Sequence, residues 1–451
     1  MNGNEPIYDA RALGTPKMLV LGVQHMFAMF GATVLVPALT GLSVSATLLF
    51  AGLGTLLFHA LTRGKVPAFL GSSFAFIGGY AAIAPLLPDA NGTACIPNTE
   101  LLPYACFGVA CAGLLYVLLA ALFKAFGTRA VMRYFPPVVT GPVIICIGLT
   151  LSSTAISSCR TNWWIALVAI GIVVVCNIWG RGMIKIIPIL LGVVGSYLAA
   201  AVTNHVDFSA VLSAPWVGLP FQMENTLFGL FGRPSLDTGL LLTSAVTIMP
   251  LALATMVEHI GDMCAISSTC ERNFLEDPGF HRTLLGDGLA TALASLFGAP
   301  ANTTYGENTG VLALSRVYDP RVIRIAAGLA ILVSFSPKFA ALVSAMPQAT
   351  MGGVSMVLYG MISAVGVRNV VENQVDFSNS RNVIIAALIL VLAIGVNYSG
   401  AVTFSVGSAT VSMSGLAVAA LTGIALNAVL PGKDYEFGAD HKGDTSVNFK
   451  V

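Results

Sequence analysis

Fourteen apolar segments, most of them near the length that crosses a hydrocarbon layer, divide this chain, and they leave a bundle of membrane helices as the fold to expect. At about 20 residues per crossing, they run roughly over 18–39, 44–61, 67–86, 103–123, 135–152, 162–179, 184–201, 237–261, 284–298, 301–316, 322–345, 349–367, 382–397 and 409–430. Only 10% of the residues are charged, whereas a soluble globular domain carries about a quarter. The expected class is an all-α polytopic membrane protein. A net charge of +1 provides no field to attract nucleic acid, so the expected partners are the lipid bilayer and a small solute. The eight cysteines contain no CxxC pair, and no metal site or cofactor is expected. Cys95 and Cys159 fall in outer loops, which leaves a disulfide between them open.

The placement of cations tests the count. With both termini cytoplasmic, nineteen of the 22 basic residues fall on the inner side and only Arg160, Arg233 and Lys338 on the outer. Losing one crossing would scramble that bias, because basic residues concentrate in cytoplasmic loops. No cleavable leader is read in the polar first sixteen residues. The expected location is a plasma membrane, most simply a bacterial inner membrane.

Two stretches cannot be plain helix: Gly71-Ser72-Ser73-Phe74-Ala75-Phe76 after Pro67-Ala68, and Asn302-Thr303-Thr304-Tyr305-Gly306-Glu307-Asn308 after Pro300-Ala301. They fall in the third and tenth spans, which are partners if the chain is a repeat of seven and seven. A second echo supports that register. Phe135-Pro136-Pro137-Val138-Val139-Thr140-Gly141-Pro142-Val143 opens the fifth span as Met346-Pro347-Gln348-Ala349-Thr350-Met351-Gly352-Gly353-Val354 opens the twelfth. An odd number of crossings per half makes the repeat inverted, and broken spans in corresponding halves point to a secondary transporter.

Irregular backbone at membrane depth survives only where protein or a water-filled cavity satisfies it. The small and hydroxylated residues there suit extended chain, with helices expected to begin near Ala75 and Asn308, whose first N–H groups are left to donate to a ligand. Packing kinks between helices are the plainer alternative. Phe74 and Tyr305 sit at matching places and suit a planar ring. Ionisable groups inside the membrane mark function by default, which singles out Glu307 and Glu258. Asp262 lies one helical turn beyond Glu258, on the same face and close to a loop expected from about 263; His259 lies between them. Asp287, between Gly286 and Gly288, reads as an interfacial cap, Lys338 as a side chain reaching the outer interface, and His25 as a bridge between packed helices. Two acceptor carboxylates, backbone donors and two rings fit a flat neutral solute with alternating N–H and C=O groups, such as uracil.

These residues resemble the nucleobase-ascorbate transporter family, and within it the uracil permeases. The resemblance rests on Glu307-Asn308-Thr309-Gly310 followed by Ser315-Arg316, on the run from Gln24 to Thr33, on Gly71 to Phe76, and on Glu258-His259. It covers about 18–430. It implies a core domain (18–134 and 237–345) and a gate domain (135–236, which includes the connector, and 346–430), between short cytoplasmic tails (1–17 and 431–451). It also implies substrate carboxylates at Glu258 and Glu307, backbone contacts at Phe74 and Gly306, packing contacts at Ala32, Tyr305 and Tyr359, proton symport, and a homodimer. Glu rather than Gln at 307 is similar to the uracil branch. Some uracil permeases carry His where this chain has Asp262, so Glu258, Asp262 and His259 all stand as proton-coupling candidates. The competing readings are a purine permease of the same family, an anion carrier of this architecture, and a membrane-embedded enzyme; the last is disfavoured because no HExxH spacing and no activated nucleophile is present.

Overall fold

The computed structural model describes residues 6–88, 95–232, 236–406 and 409–432. Arg233 and the tail from 433 onward lie outside the described residues. The chain is mostly helical, and residues suited to helix termini set the ends. Helix α1 (Thr15–Thr40) stops at Gly41, whose φ of +81° a side chain would strain. Helix α2 (Val44–Leu61) starts where the Ser43 side chain accepts the Ala46 amide. There follow α3 (Ile77–Ile83), α4 (Leu102–Phe126), α5 (Pro137–Cys159), α6 (Trp163–Trp179), α7 (Pro188–Val202) and α8 (Thr238–Ile248). The series continues with α9 (Leu251–Thr269), α10 (Phe280–Leu296), α11 (Glu307–Ser315), α12 (Pro320–Ser334), α13 (Pro337–Ser344), α14 (Gln348–Glu372), α15 (Ser380–Ser399) and α16 (Gly415–Val429). Asn162, Asp237, Asp319, Asn379 and Ser414 cap α6, α8, α12, α15 and α16 with side-chain oxygens.

Two short strands interrupt this pattern. Strand β1 (Leu70–Ser72) pairs antiparallel with β2 (Asn302–Thr304), with Leu70 opposite Thr304, Gly71 opposite Thr303 and Ser72 opposite Asn302. The ladder extends at both ends, since Tyr305 N donates to Phe69 O and Ser73 N donates to Ala301 O, each at 2.9 Å. Side chains fasten it to the helices around it. Thr55 Oγ1 accepts Leu70 N, Ser72 Oγ donates to Thr33 O, and Thr291 Oγ1 donates to Asn302 O. All six strand residues are buried; the ladder and these hydroxyls are how backbone polar groups are paired where water is excluded.

Helices α1, α2 and α10 pack on the strand pair, with α4 against α10 and α12 against α1 and α2, while α5, α6, α7, α14, α15 and α16 pack on one another. Within the second group α5 and α14 lie antiparallel at small residues: Gly141 meets Gly366, Gly148 meets Tyr359 O, and Gly352 meets Ala155 O. Small residues let membrane helices approach to backbone contact. The two stretches that echo each other in sequence thus begin helices that run against each other, just as the two breaks pair antiparallel.

Among the described residues, seven helices are long and apolar enough to cross a membrane, or eight if the bent pair α12–α13 is taken as one, and α8–α9 counts among them as a single run. The other segments of the expected fourteen are shorter helices or interrupted ones. Three local expectations need correction. The loop expected from about 263 is absent, because α9 continues to Thr269. The segment 322–345 is bent by 87° between α12 and α13, where the connector docks: Gly218 N donates to Phe335 O and Lys338 N to Pro215 O. Lys338 lies 4.9 Å over the Trp216 ring, a cation–π contact, rather than simply reaching outward. An unanticipated hairpin, β3 (Val402–Val406) with β4 (Ala409–Met413), precedes α16, and β4 packs along α8.

Candidate functional site

The strand pair places two helix starts beside each other. After β1 the chain makes a single 3-10 turn, Phe74–Phe76, and enters α3; after β2 it enters α11 at Glu307. The starts therefore fall within a residue or two of the places read from the sequence. Helix α9 packs against the Phe74–Phe76 turn, β2 and α11, so the helix that carries Glu258 touches both breaks.

Glu258 is half-buried on α9 and Asp262, one turn on, is half-buried too. Thr304 Oγ1 donates to Asp262 Oδ2 at 3.2 Å. A Cβ at Gly306 would lie 3.1 Å from Asp262 Oδ1, so Asp262 reaches across to the second break. Gly306 itself is exposed. Glu307 opens α11, but its side chain lies outside the described residues. Around the breaks, Ala32, Phe74, Tyr305 and Tyr359 are all buried. The rings do not share one arrangement: Phe74 meets Tyr359 edge-on at 6.3 Å between centroids, while Tyr305 lies over Gly71, and its hydroxyl donates to Ser72 O at 2.7 Å. Tyr305 thus pins the first break from the second.

His259 and Asp287 differ from their sequence reading. Asp287 is not a cap at an interface; it lies inside α10 with no exposure, and Gly286 and Gly288 flank it because that stretch packs against Phe58, Tyr116 and Gly113. Its Oδ2 lies 2.9 Å from His259 Nδ1 and accepts Thr304 N at 3.3 Å. His259 is equally buried, with Nδ1 also 3.0 Å from Thr304 Oγ1 and Nε2 3.0 Å from Thr283 Oγ1. The pair holds β2 to α9 and α10 from behind. Tyr116, bonded to Thr255, adds a further polar contact one turn before Glu258. The glycines beside Asp287 were the available signal for close helix packing there. His25, expected to bridge helices, does so: its Nδ1 lies 3.2 Å from Asn308 Nδ2, which also donates to His25 O at 3.1 Å, joining α1 to α11.

This arrangement, two short strands crossing inside a bundle of apolar helices, defines a multi-pass membrane protein with paired helix breaks. The fold is similar to that of the transmembrane domain of a cyanobacterium bicarbonate transporter, BicA, with a TM-score of 0.59 at 15% identity over 94% of this chain and 99% of that one. The sequence matches the model described as "Permease family" over residues 16–402. The chain belongs to that family, the nucleobase-ascorbate transporters. Its relatives include the uracil permease of Bacillus caldolyticus, 41% identical over 95% of this chain and 96% of that protein, and the uracil permease of Bacillus subtilis (strain 168), 40% identical over 91% of each.

Proposed function

We propose that this protein is a secondary transporter that imports a nucleobase, with uracil as the substrate, by proton symport and alternating access, and that it is not an enzyme. The observation that carries the reading is the antiparallel contact of β1 with β2 beside α9, which sets two helix starts that no side chain caps next to a membrane carboxylate. The relatives named uracil permeases supply the substrate. In this reading Glu258 and Glu307 accept the ring N–H groups, the backbone at Phe74 and Gly306 meets the carbonyls, and Ala32, Tyr305 and Tyr359 pack against the ring. Glu258 and Asp262 are the proton-coupling groups, and His259, enclosed with Asp287, positions Thr304 rather than exchanging protons with solvent.

The same reading gives fourteen crossings in two inverted sets of seven, both termini cytoplasmic in a bacterial inner membrane, and a homodimer. The core (18–134 and 237–345) carries the base past the gate (135–236 and 346–430). Uptake of labelled uracil into vesicles, with and without an inward proton gradient, tests it. The gradient should accelerate uptake, and Glu258→Ala and Glu307→Ala should each abolish it. Full transport by both variants would defeat the site, and stronger competition by xanthine or uric acid than by unlabelled uracil would move the substrate to the purines.

A further inference from the structure

A cavity of about 540 Å³ lies away from the strand pair, between the start of α1, the end of α11 and the one-turn helix Met183–Ile186. That volume is within the roughly 300–1,000 Å³ of pockets that hold a small ligand. Its walls are mainly apolar, from Leu13, Leu21, Met183, Val311, Leu314 and Val317, and Lys17 stands among them. Among the described residues no carboxylate lines it, and Lys17 has no acidic partner. Arg181 and Lys185 flank Met183 in sequence, are exposed, and also have no acidic partner among the described residues. The apolar surface continues outward from the cavity through Leu19, Val20, Ile184 and Leu314, each about half exposed or more, as it would where a helix faces acyl chains.

We propose that this cavity binds an anionic phospholipid of the inner leaflet, with an acyl chain in the apolar space and the phosphate near Lys17, Arg181 and Lys185. Basic side chains at a membrane surface attract acidic headgroups, and a neutral or cationic occupant would leave three cations unpaired. The walls come from α1, which packs on β1, from α11, which continues from β2, and from Met183, which lies between α6 and α7. A bound lipid therefore touches both helix groups, and its occupancy sets how readily one slides on the other. The proposal names the ligand of a site separate from the one above and depends on the transport reading only for which leaflet supplies the lipid.

The test uses the full chain purified into vesicles of phosphatidylcholine alone or mixed with phosphatidylglycerol in both leaflets. Lipid that remains bound after detergent extraction is identified by native mass spectrometry. Phosphatidylglycerol should be retained over phosphatidylcholine, Lys17→Ala should lower its retention about fivefold, and the triple alanine variant at 17, 181 and 185 about a hundredfold. Lys17→Arg should restore retention, and Leu314→Trp, which fills the cavity but keeps every charge, should lose it. Free glycerol phosphate should not compete. Equal retention by the wild type and the triple variant, unaltered retention by Leu314→Trp, or displacement by glycerol phosphate would each overturn the proposal. Stabilisation by uracil, read as a thermal shift in the same samples, reports on the transport reading separately.

Discussion

Replacing Gly71 with Ala puts one methyl group where the two breaks meet. The new Cβ would lie 2.5 Å from Tyr305 Cε2, 2.6 Å from Tyr305 Cζ and 2.8 Å from Thr33 Oγ1. Carbon atoms pack best at about 3.5–4.0 Å, so the ring must withdraw by about 1 Å. It has no free path, because its hydroxyl is held by Ser72 O at 2.7 Å and its residue is buried. Overpacking costs about 1–3 kcal/mol, and loss of the phenol hydrogen bond adds about 0.5–1.5 kcal/mol. If that strain is relieved by parting the strands, uracil affinity should fall by roughly 10- to 1,000-fold at about 1.4 kcal/mol per decade. Binding is measured by isothermal titration in detergent and transport by vesicle uptake. Gly71→Ala with wild-type affinity and wild-type melting temperature would refute the claim that this contact fixes the site. The double variant with Tyr305→Ala removes the clash but also the ring and the hydroxyl that pin the first break, so neither melting temperature nor uptake should return to wild type.

Three further substitutions probe the scaffold. Asp287→Ala removes the partner of a fully buried histidine and the acceptor for Thr304 N; it should destabilise the protein by about 1–3 kcal/mol and suppress uptake, and a melting curve matching wild type would refute the positioning role. Arg381 is buried, and its guanidinium donates to Asn427 Oδ1 at 2.6 Å, to Asn427 O and to Asn382 Oδ1, so Arg381→Lys, which loses the fork, should cost about 1.5–3 kcal/mol in thermal melting. Asp319 accepts Ala10 N at 2.7 Å and Arg321 N at 2.9 Å; Asp319→Ala should cost about 1 kcal/mol as a lost cap and release the amino-terminal segment, seen as faster trypsin cleavage at Arg11. Cleavage at an unchanged rate would argue that the segment's other contacts, among them the backbone bridge of Ile7 with Val317, the Arg321–Asp9 ion pair and the Tyr8 hydroxyl on Cys270 O, hold it without Asp319.

Much of this was legible because certain residues leave few choices. The prolines before Gly71 and Asn302, followed by hydroxyl and glycine residues, excluded helix at both places, and the strands fall there. The repeat made the two breaks counterparts, but their antiparallel pairing, Leu70 to Thr304 through Ser72 to Asn302, is seen only in the structure. Asp287 was misread because its two glycines look like a helix end in one dimension; in space they admit Phe58 and the α4 backbone, which bury the carboxylate. The bend after Ser334 had a local signal that the apolar count passed over: Ser334-Phe335-Ser336-Pro337-Lys338 interrupts the run, and Ser336 caps α13 with Pro337 at its first turn. What the sequence does not show is the partner: the connector, about 120 residues earlier, binds its backbone at the bend. The length of α9 was underestimated because Glu258, His259 and Asp262 raise local polarity, although each finds a neighbour within the bundle.

The ladder between Leu70–Ser72 and Asn302–Thr304 also sets an order of events during synthesis. Some 230 residues separate the two sides, so when the first emerges from the ribosome its complement does not yet exist. Until then its amides and carbonyls must be sheltered by water, by insertion machinery or by provisional neighbours, because bare backbone is not tolerated in lipid. Maturation of the amino-terminal half is therefore completed by the carboxyl-terminal half, and the two pieces translated as separate polypeptides should reach their final form only when made together.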